Sequence, residues 1–229
     1  NLMSRKIPTV CTRYLASTLL LALLGCATPT PPETQTSPTP RSTPATTRYE
    51  RVEIQVNRQA GQCHVQLTGQ LDEYTARSLR QTMNELASQD CRSKRVVIAL
   101  QGGQVGSALT VGAIIKNRAF DTQVQAGTSC LTPCLLVFVA GRERIMLPSV
   151  PPTRLGFSQI PPDADFGRGI CETELNAAQA QTLTRYLRAM LPLPVANTVM
   201  KKLATATCNN TEYLNPAEAL ALGLATTVR

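Results

Sequence analysis

Tryptophan is absent from the 229-residue chain, and histidine occurs once, at His64. Aromatic residues make up only 4% of it, too few to build a base-stacking or sugar-stacking platform. A run of basic residues is missing as well. The formal net charge is +8, but Arg5, Lys6 and Arg13 fall in an N-terminal leader; the remaining 20 Lys and Arg against 15 Asp and Glu leave +5, without a cluster. That is a mildly basic surface rather than a nucleic-acid footprint, so no nucleic-acid partner is expected. The lone histidine adjoins Cys63 and there is no Cys-x-x-Cys pair, which argues against a zinc site. No metal and no cofactor is expected. No apolar run reaches the roughly 20 residues that cross a bilayer. What the chain does have is 43% hydrophobic residues, enough for the core of one ordinary domain, and eight cysteines. So many thiols make the redox compartment the first question.

The N-terminus answers it. Met3 is the expected initiator, Arg5, Lys6 and Arg13 form a positive region, and the apolar run Leu15–Gly25 ends at Cys26. This is the pattern of a secretory signal. Leu23-Leu24-Gly25-Cys26 resembles a bacterial lipobox, with Leu24 bulkier than usual, so residues 1–26 are expected to be a lipoprotein signal peptide and Cys26 the lipid attachment site. The alternative is a plain signal peptide cut at Gly25 or Ala27. Residues 27–48 hold six Pro, eight Thr and two Ser, with Ala27 and Ala45 the only apolar side chains besides proline. Such a segment cannot bury enough surface to offset its ordering entropy, and its prolines favour extended conformations; it is expected to be a disordered spacer. Ala27 and Thr28 carry no acidic inner-membrane retention signal, which favours the outer membrane. The folded domain, residues 49–229, is then expected in the periplasm or at the cell surface.

Six cysteines remain in that domain: Cys63, Cys91, Cys130, Cys134, Cys171 and Cys208. An even number in an oxidising compartment reads as up to three disulfides. Six cysteines allow about 15 connectivities, and sequence alone does not choose among them. Chain order suggests Cys63–Cys91, Cys130–Cys134 and Cys171–Cys208.

From about Tyr49 strands and helices alternate. Residues 51–56 and 63–68 show period-two alternation, with Gly61 in the turn between them. Ala76, Leu79, Met83 and Leu86 recur on one helical face, and Ala108, Val111 and Ile115 on another. Arg95–Leu100 is an apolar run of the kind found in parallel strands buried on both faces, and it ends in Gly102-Gly103. Residues 122–126 predict a short strand, 134–140 a fully buried helix closed by Gly141, and 144–147 and 154–160 further strands. Helices are predicted over 172–191 and 194–205. In the first of these, Tyr186 and Leu187 belong to the core or to an interface. A last helix is capped by Asn215, with Pro216 at its first position, Glu218 completing a capping box, and Gly223 after its end. Leu220, Leu222 and Leu224 should dock it on the core. The alternation argues an α/β fold with a largely parallel sheet.

Four segments in order carry a resemblance: Val96–Val105 with its glycine pair, Cys130-Leu-Thr-Pro-Cys134 leading into the buried helix, Gly156-Phe-Ser-Gln159, and Tyr213–Ala219 with Gly223-Leu224. Together, over residues 63 to 225, they resemble the Clp protease and crotonase superfamily, specifically its exported Clp-protease-like proteins. The resemblance implies repeated β-β-α units and a serine nucleophile at the start of the buried helix, often between two cysteines. It implies that backbone N–H groups of Gly102 and Gly103 face an oxyanion. Here the nucleophile position falls on Thr132 and the base histidine on Ser158. Where the acid belongs, the chain reads Thr205–Thr211, with no carboxylate before Glu212.

A hydroxyl attacks poorly without a base to take its proton, and Ser158 cannot serve as one at neutral pH. None of Lys94, Lys116, Lys201 and Lys202 aligns with the missing histidine. Thr132, followed by Pro133, also reads as a helix N-cap. The expectation is a pseudoenzyme: a lipid-anchored envelope protein whose degenerate protease-like domain binds a peptide or protein partner. The alternative is an active serine- or threonine-type peptidase in the periplasm, using Thr132 or Ser158. Crotonase chemistry on a coenzyme A ester is disfavoured by export. Related folds build rings and trimers, which leaves room for a homo-oligomer.

Overall fold

The structure, a computed structural model, describes residues 53–59 and 61–228. The signal peptide, Cys26 and the linker over 27–48 lie outside the described residues.

A hairpin opens the domain. β1 (Glu53–Gln59) and β2 (Gln62–Leu71) run antiparallel around Gly61, whose φ of 79° favours glycine. Then come α1 (Glu73–Ala87), β3 (Ser93–Gly103), α2 (Val105–Asn117), β4 (Asp121–Val124), β5 (Ser129–Cys130) and α3 (Thr132–Phe138). β6 (Arg144–Met146), β7 (Arg154–Phe157), α4 (Ala177–Met190), α5 (Leu193–Thr205), β8 (Glu212–Leu214) and α6 (Pro216–Ala221) complete the order. The main sheet is β1-β2-β3-β4-β6, parallel from β2 onward, and a second sheet, β5-β7-β8, joins a parallel to an antiparallel pair. This is the α/β architecture with a largely parallel sheet that the alternation predicts.

Burial follows the periodicities. Val65 and Leu67 on β2 and Val96, Ile98 and Leu100 on β3 are buried in one core with Leu79, Met83 and Leu86 of α1 and Val111 and Ile115 of α2. Every residue of α3 is buried, and burial continues through Ala140. Capping works as the residue types require. Asp72, Asn176 and Asn215 each accept from a main-chain N–H three residues on, with a reciprocal bond back from Thr75, Gln179 and Glu218. Leu187 is core, and Tyr186 packs against it and donates its hydroxyl to the Leu136 carbonyl at 2.6 Å. Burial raises the Tyr186 phenol well above its ordinary range. Arg144 is also interior: its guanidinium donates to the carbonyls of Leu224, Gly141 and Gly223, tying the C-terminal segment to β6, and its burial lowers its pKa.

Several expectations need correction. β3 is fully buried on one face only, because Val97 and Ala99 face the side that carries His64, Gln66 and Gln123 and holds polar contacts such as Gln66 to Gln125 at 3.0 Å. The helix predicted from 172 begins at Ala177, since Asn176 caps it and Cys171, at φ 58°, is not helical. The strand predicted over 154–160 stops at Phe157. Leu220 points outward at 41% exposure, leaving Leu224 and Ala219 as the buried contacts of that end.

All three disulfides form in the order the chain suggests: Cys63–Cys91, Cys130–Cys134 and Cys171–Cys208, with Cα separations of 5.6, 5.1 and 5.5 Å. The first ties β2 to the turn after α1, the second spans the entry to α3, and the third joins the segment before α4 to the loop after α5.

Candidate functional site

Thr132 and Ser158 lie together. β7 delivers Ser158 immediately after its last residue, and β5 delivers Thr132 as the first residue of α3, where it is wholly buried. Thr132 is therefore not the N-cap that its position before Pro133 suggests. Leu131 holds the cap position without a side-chain bond, and the Thr132 hydroxyl turns away to donate to the Ser158 carbonyl. Ser158 Oγ donates to Thr132 Oγ1 at 3.0 Å and accepts from the Thr132 N–H at 3.2 Å. The two hydroxyls satisfy each other and the main chain in a closed ring of bonds. Among the described residues, no imidazole, amine or carboxylate is a partner of either.

His64 is on β2, between Asn57 of β1 and Arg95 of β3 in the strand register. Its pKa is held below the ordinary 6.5, first by burial and second by Arg95. Glu212 is ion-paired with Lys202, whose ammonium also sits 5.5 Å from the Phe157 ring centre. A small cleft of about 170 Å³ lies there, lined by Phe157, Lys202, Thr205, Asn210 and Glu212.

The glycine pair ends β3. Gly103 has φ 125°, and any Cβ on it would come within 2.3 Å of the Leu71 main-chain nitrogen, so only glycine fits beside β2. Immediately past this pair, the start of α2 makes a contact that periodicity does not announce. The Val105 N–H donates to Asp163 Oδ2 at 2.7 Å across 58 residues, in a buried bond. Asp163 Oδ1 accepts from the N–H groups of Asp165 and Phe166, both at 3.1 Å. Asp163 and Arg168 pair as an isolated antiparallel bridge, and the buried Arg168 guanidinium donates to the carbonyls of Glu172 and Glu174. Asp163-Ala-Asp-Phe-Gly167 does carry turn residues, but no local signal links it to α2. An anion already seated at the start of α2 opposes a second negative charge developing beside it.

Neither Cys26 nor the linker is described, and among the described residues no group of three or more His, Cys, Asp or Glu could hold a metal ion.

Arrangement and topology match solved structures. ClpP1 from Listeria monocytogenes superposes with a TM-score of 0.52 over 72% of this chain and 90% of that one, at 18% sequence identity. This chain has the Clp protease fold. A mutant of the same Listeria ClpP1 matches with a TM-score of 0.51 at 16% identity, again over 72% of this chain and 90% of its own. No protein-family model and no curated protein matches the sequence. At these identities the Clp likeness establishes the fold and leaves the chemistry to the residues.

Proposed function

We propose that this Clp-type domain is a non-catalytic peptide- or protein-binding module of the bacterial envelope, held to the outer membrane by a lipidated Cys26. The observation that carries the non-catalytic half is the closed hydroxyl pair. Among the described residues, Thr132 has as side-chain partners only Ser158 and its main chain, so none of suitable basicity takes its proton. Removing the nucleophile, base and acid of a serine protease costs on the order of a million-fold in kcat, even where oxyanion donors survive. The envelope half rests on the lipobox-like Leu23–Cys26, the Pro- and Thr-rich segment after it, and three intramolecular disulfides, which persist in oxidising compartments.

Binding would use what such a fold retains. In this reading the partner would seat between the Gly102-Gly103 end of β3 and the end of β7, and β1 and β8 are sheet edges on which an extended peptide could add a strand. A fluorophosphonate probe tests the central claim. The wild-type protein should show no covalent labelling above that of Thr132→Ala and Ser158→Ala. Labelling that either substitution abolishes would make the protein a hydrolase and end the pseudoenzyme reading.

A further inference from the structure

Residues 161–176, between the end of β7 and α4, are held unlike the rest of the domain. Only two of the sixteen are buried, Asp163 and Arg168, and both are charged. Ile170, by contrast, is 85% exposed. Asp163 grips the Val105 N–H at the start of α2, two residues past the glycine pair, while Arg168 and Gln179 hold the segment through its own carbonyls, Gln179 donating to Phe166 and Gly167 at 3.0 and 2.9 Å. The Cys171–Cys208 bridge pins the segment's middle, and the capped start of α4 pins its end. A stretch fixed by polar contacts with little apolar burial opens at lower free energy than the core beneath it. Outside the Asp163 contact lies an open cleft of about 440 Å³, lined by Arg77 and Arg80 of α1, Gln104, Ser107 and Thr110 of α2, and Asp163 itself.

We infer that residues 161–176 are an autoinhibitory strap: Asp163 is its latch on the glycine turn, Cys171–Cys208 limits its swing, and a polypeptide partner gains the turn only when the latch releases. The Asp163 carboxylate occupies a main-chain donor that an extended ligand's carbonyl would otherwise take. This inference rests on the proposed binding function. The strap's opening, however, is measurable without any partner.

Arg168 supplies the measurement, because the Arg168–Gly169 bond is a trypsin site hidden while the strap is closed. Cleavage there, followed by mass spectrometry, should quicken at least tenfold in Asp163→Ala and in the Cys171→Ser/Cys208→Ser double variant. In the wild-type protein, cleavage at Arg168 should rise with urea more shallowly than global unfolding does, since less surface is exposed. That arm needs no variant to fold. Equal urea slopes, or unchanged cleavage in both folded variants, would overturn the strap.

Gating is read with a permanently unfolded polypeptide, reduced and carboxymethylated α-lactalbumin. It should bind Asp163→Ala at least tenfold more tightly than wild type. Equal affinity for the two would overturn the gating role while leaving the binding reading intact. No binding to either, with the strap shown to open, would instead remove the binding reading and the gating with it.

Discussion

At His64 the chain's only imidazole stands on the polar side of the main sheet, its Nε2 buried and without a hydrogen-bond partner among the described residues. Burial first, and Arg95 second, disfavour its charged form. With a folded pKa below the unfolded 6.5, the unfolded chain takes up the proton first as pH falls, so stability is complete above 6.5 and declines below it toward the folded value. A single histidine gives a single imidazole resonance, and its NMR titration midpoint should lie below 6.5. Arg95→Gln should raise that midpoint part of the way, because burial is the larger cause. A wild-type midpoint at or above 6.5 would contradict the account. The pair at Thr132 and Ser158 teaches a different lesson at the same scale. Residue identity at both positions is legible from the chain, but the direction of the Thr132 hydroxyl, toward Ser158 rather than into a cap, depends on β7 arriving from 26 residues away.

Among the elements, α2 and α4 meet at a contact that fixes the identity of one glycine. A Cβ on Gly112 would fall 1.7 Å from the Tyr186 hydroxyl oxygen, which is itself engaged with the Leu136 carbonyl. Gly112→Ala should therefore destabilise the fold by about 2 kcal/mol, its gain in helix propensity notwithstanding. Adding Tyr186→Phe should recover part of that loss by removing the colliding atom. Thermal or urea denaturation of the two single variants and the double measures the coupling, and strict additivity would refute it. Elements of this kind are legible in the chain because their apolar residues repeat: Leu79, Met83 and Leu86 announce α1, and Val111 and Ile115 announce α2. The strap has no such period. Two buried charges hold it, Arg168 through carbonyls of the segment itself and Asp163 through Val105 on α2, so periodicity offers nothing to find. The polar side of β3 is hidden for a related reason, since Val97 and Ala99 are apolar although neither is fully buried.

For the molecule as a whole, the proposed envelope location carries its own test. Cys26→Ser should abolish acylation and move the protein from the membrane fraction to the soluble periplasmic fraction, leaving its three bridges formed. Mass spectrometry of the N-terminal peptide checks this, and acylation that survives the substitution would refute the assignment. The Clp-type topology supplies the sheet edges β1 and β8 for the binding proposed above. The seat of Asp163 also bears on redesign of the domain. Were serine and histidine introduced at positions 132 and 158, a reaction there would still meet a carboxylate bonded to Val105, two residues past Gly103. A hydrolase built on this chain by those two substitutions alone would therefore still carry a buried anion at the start of α2.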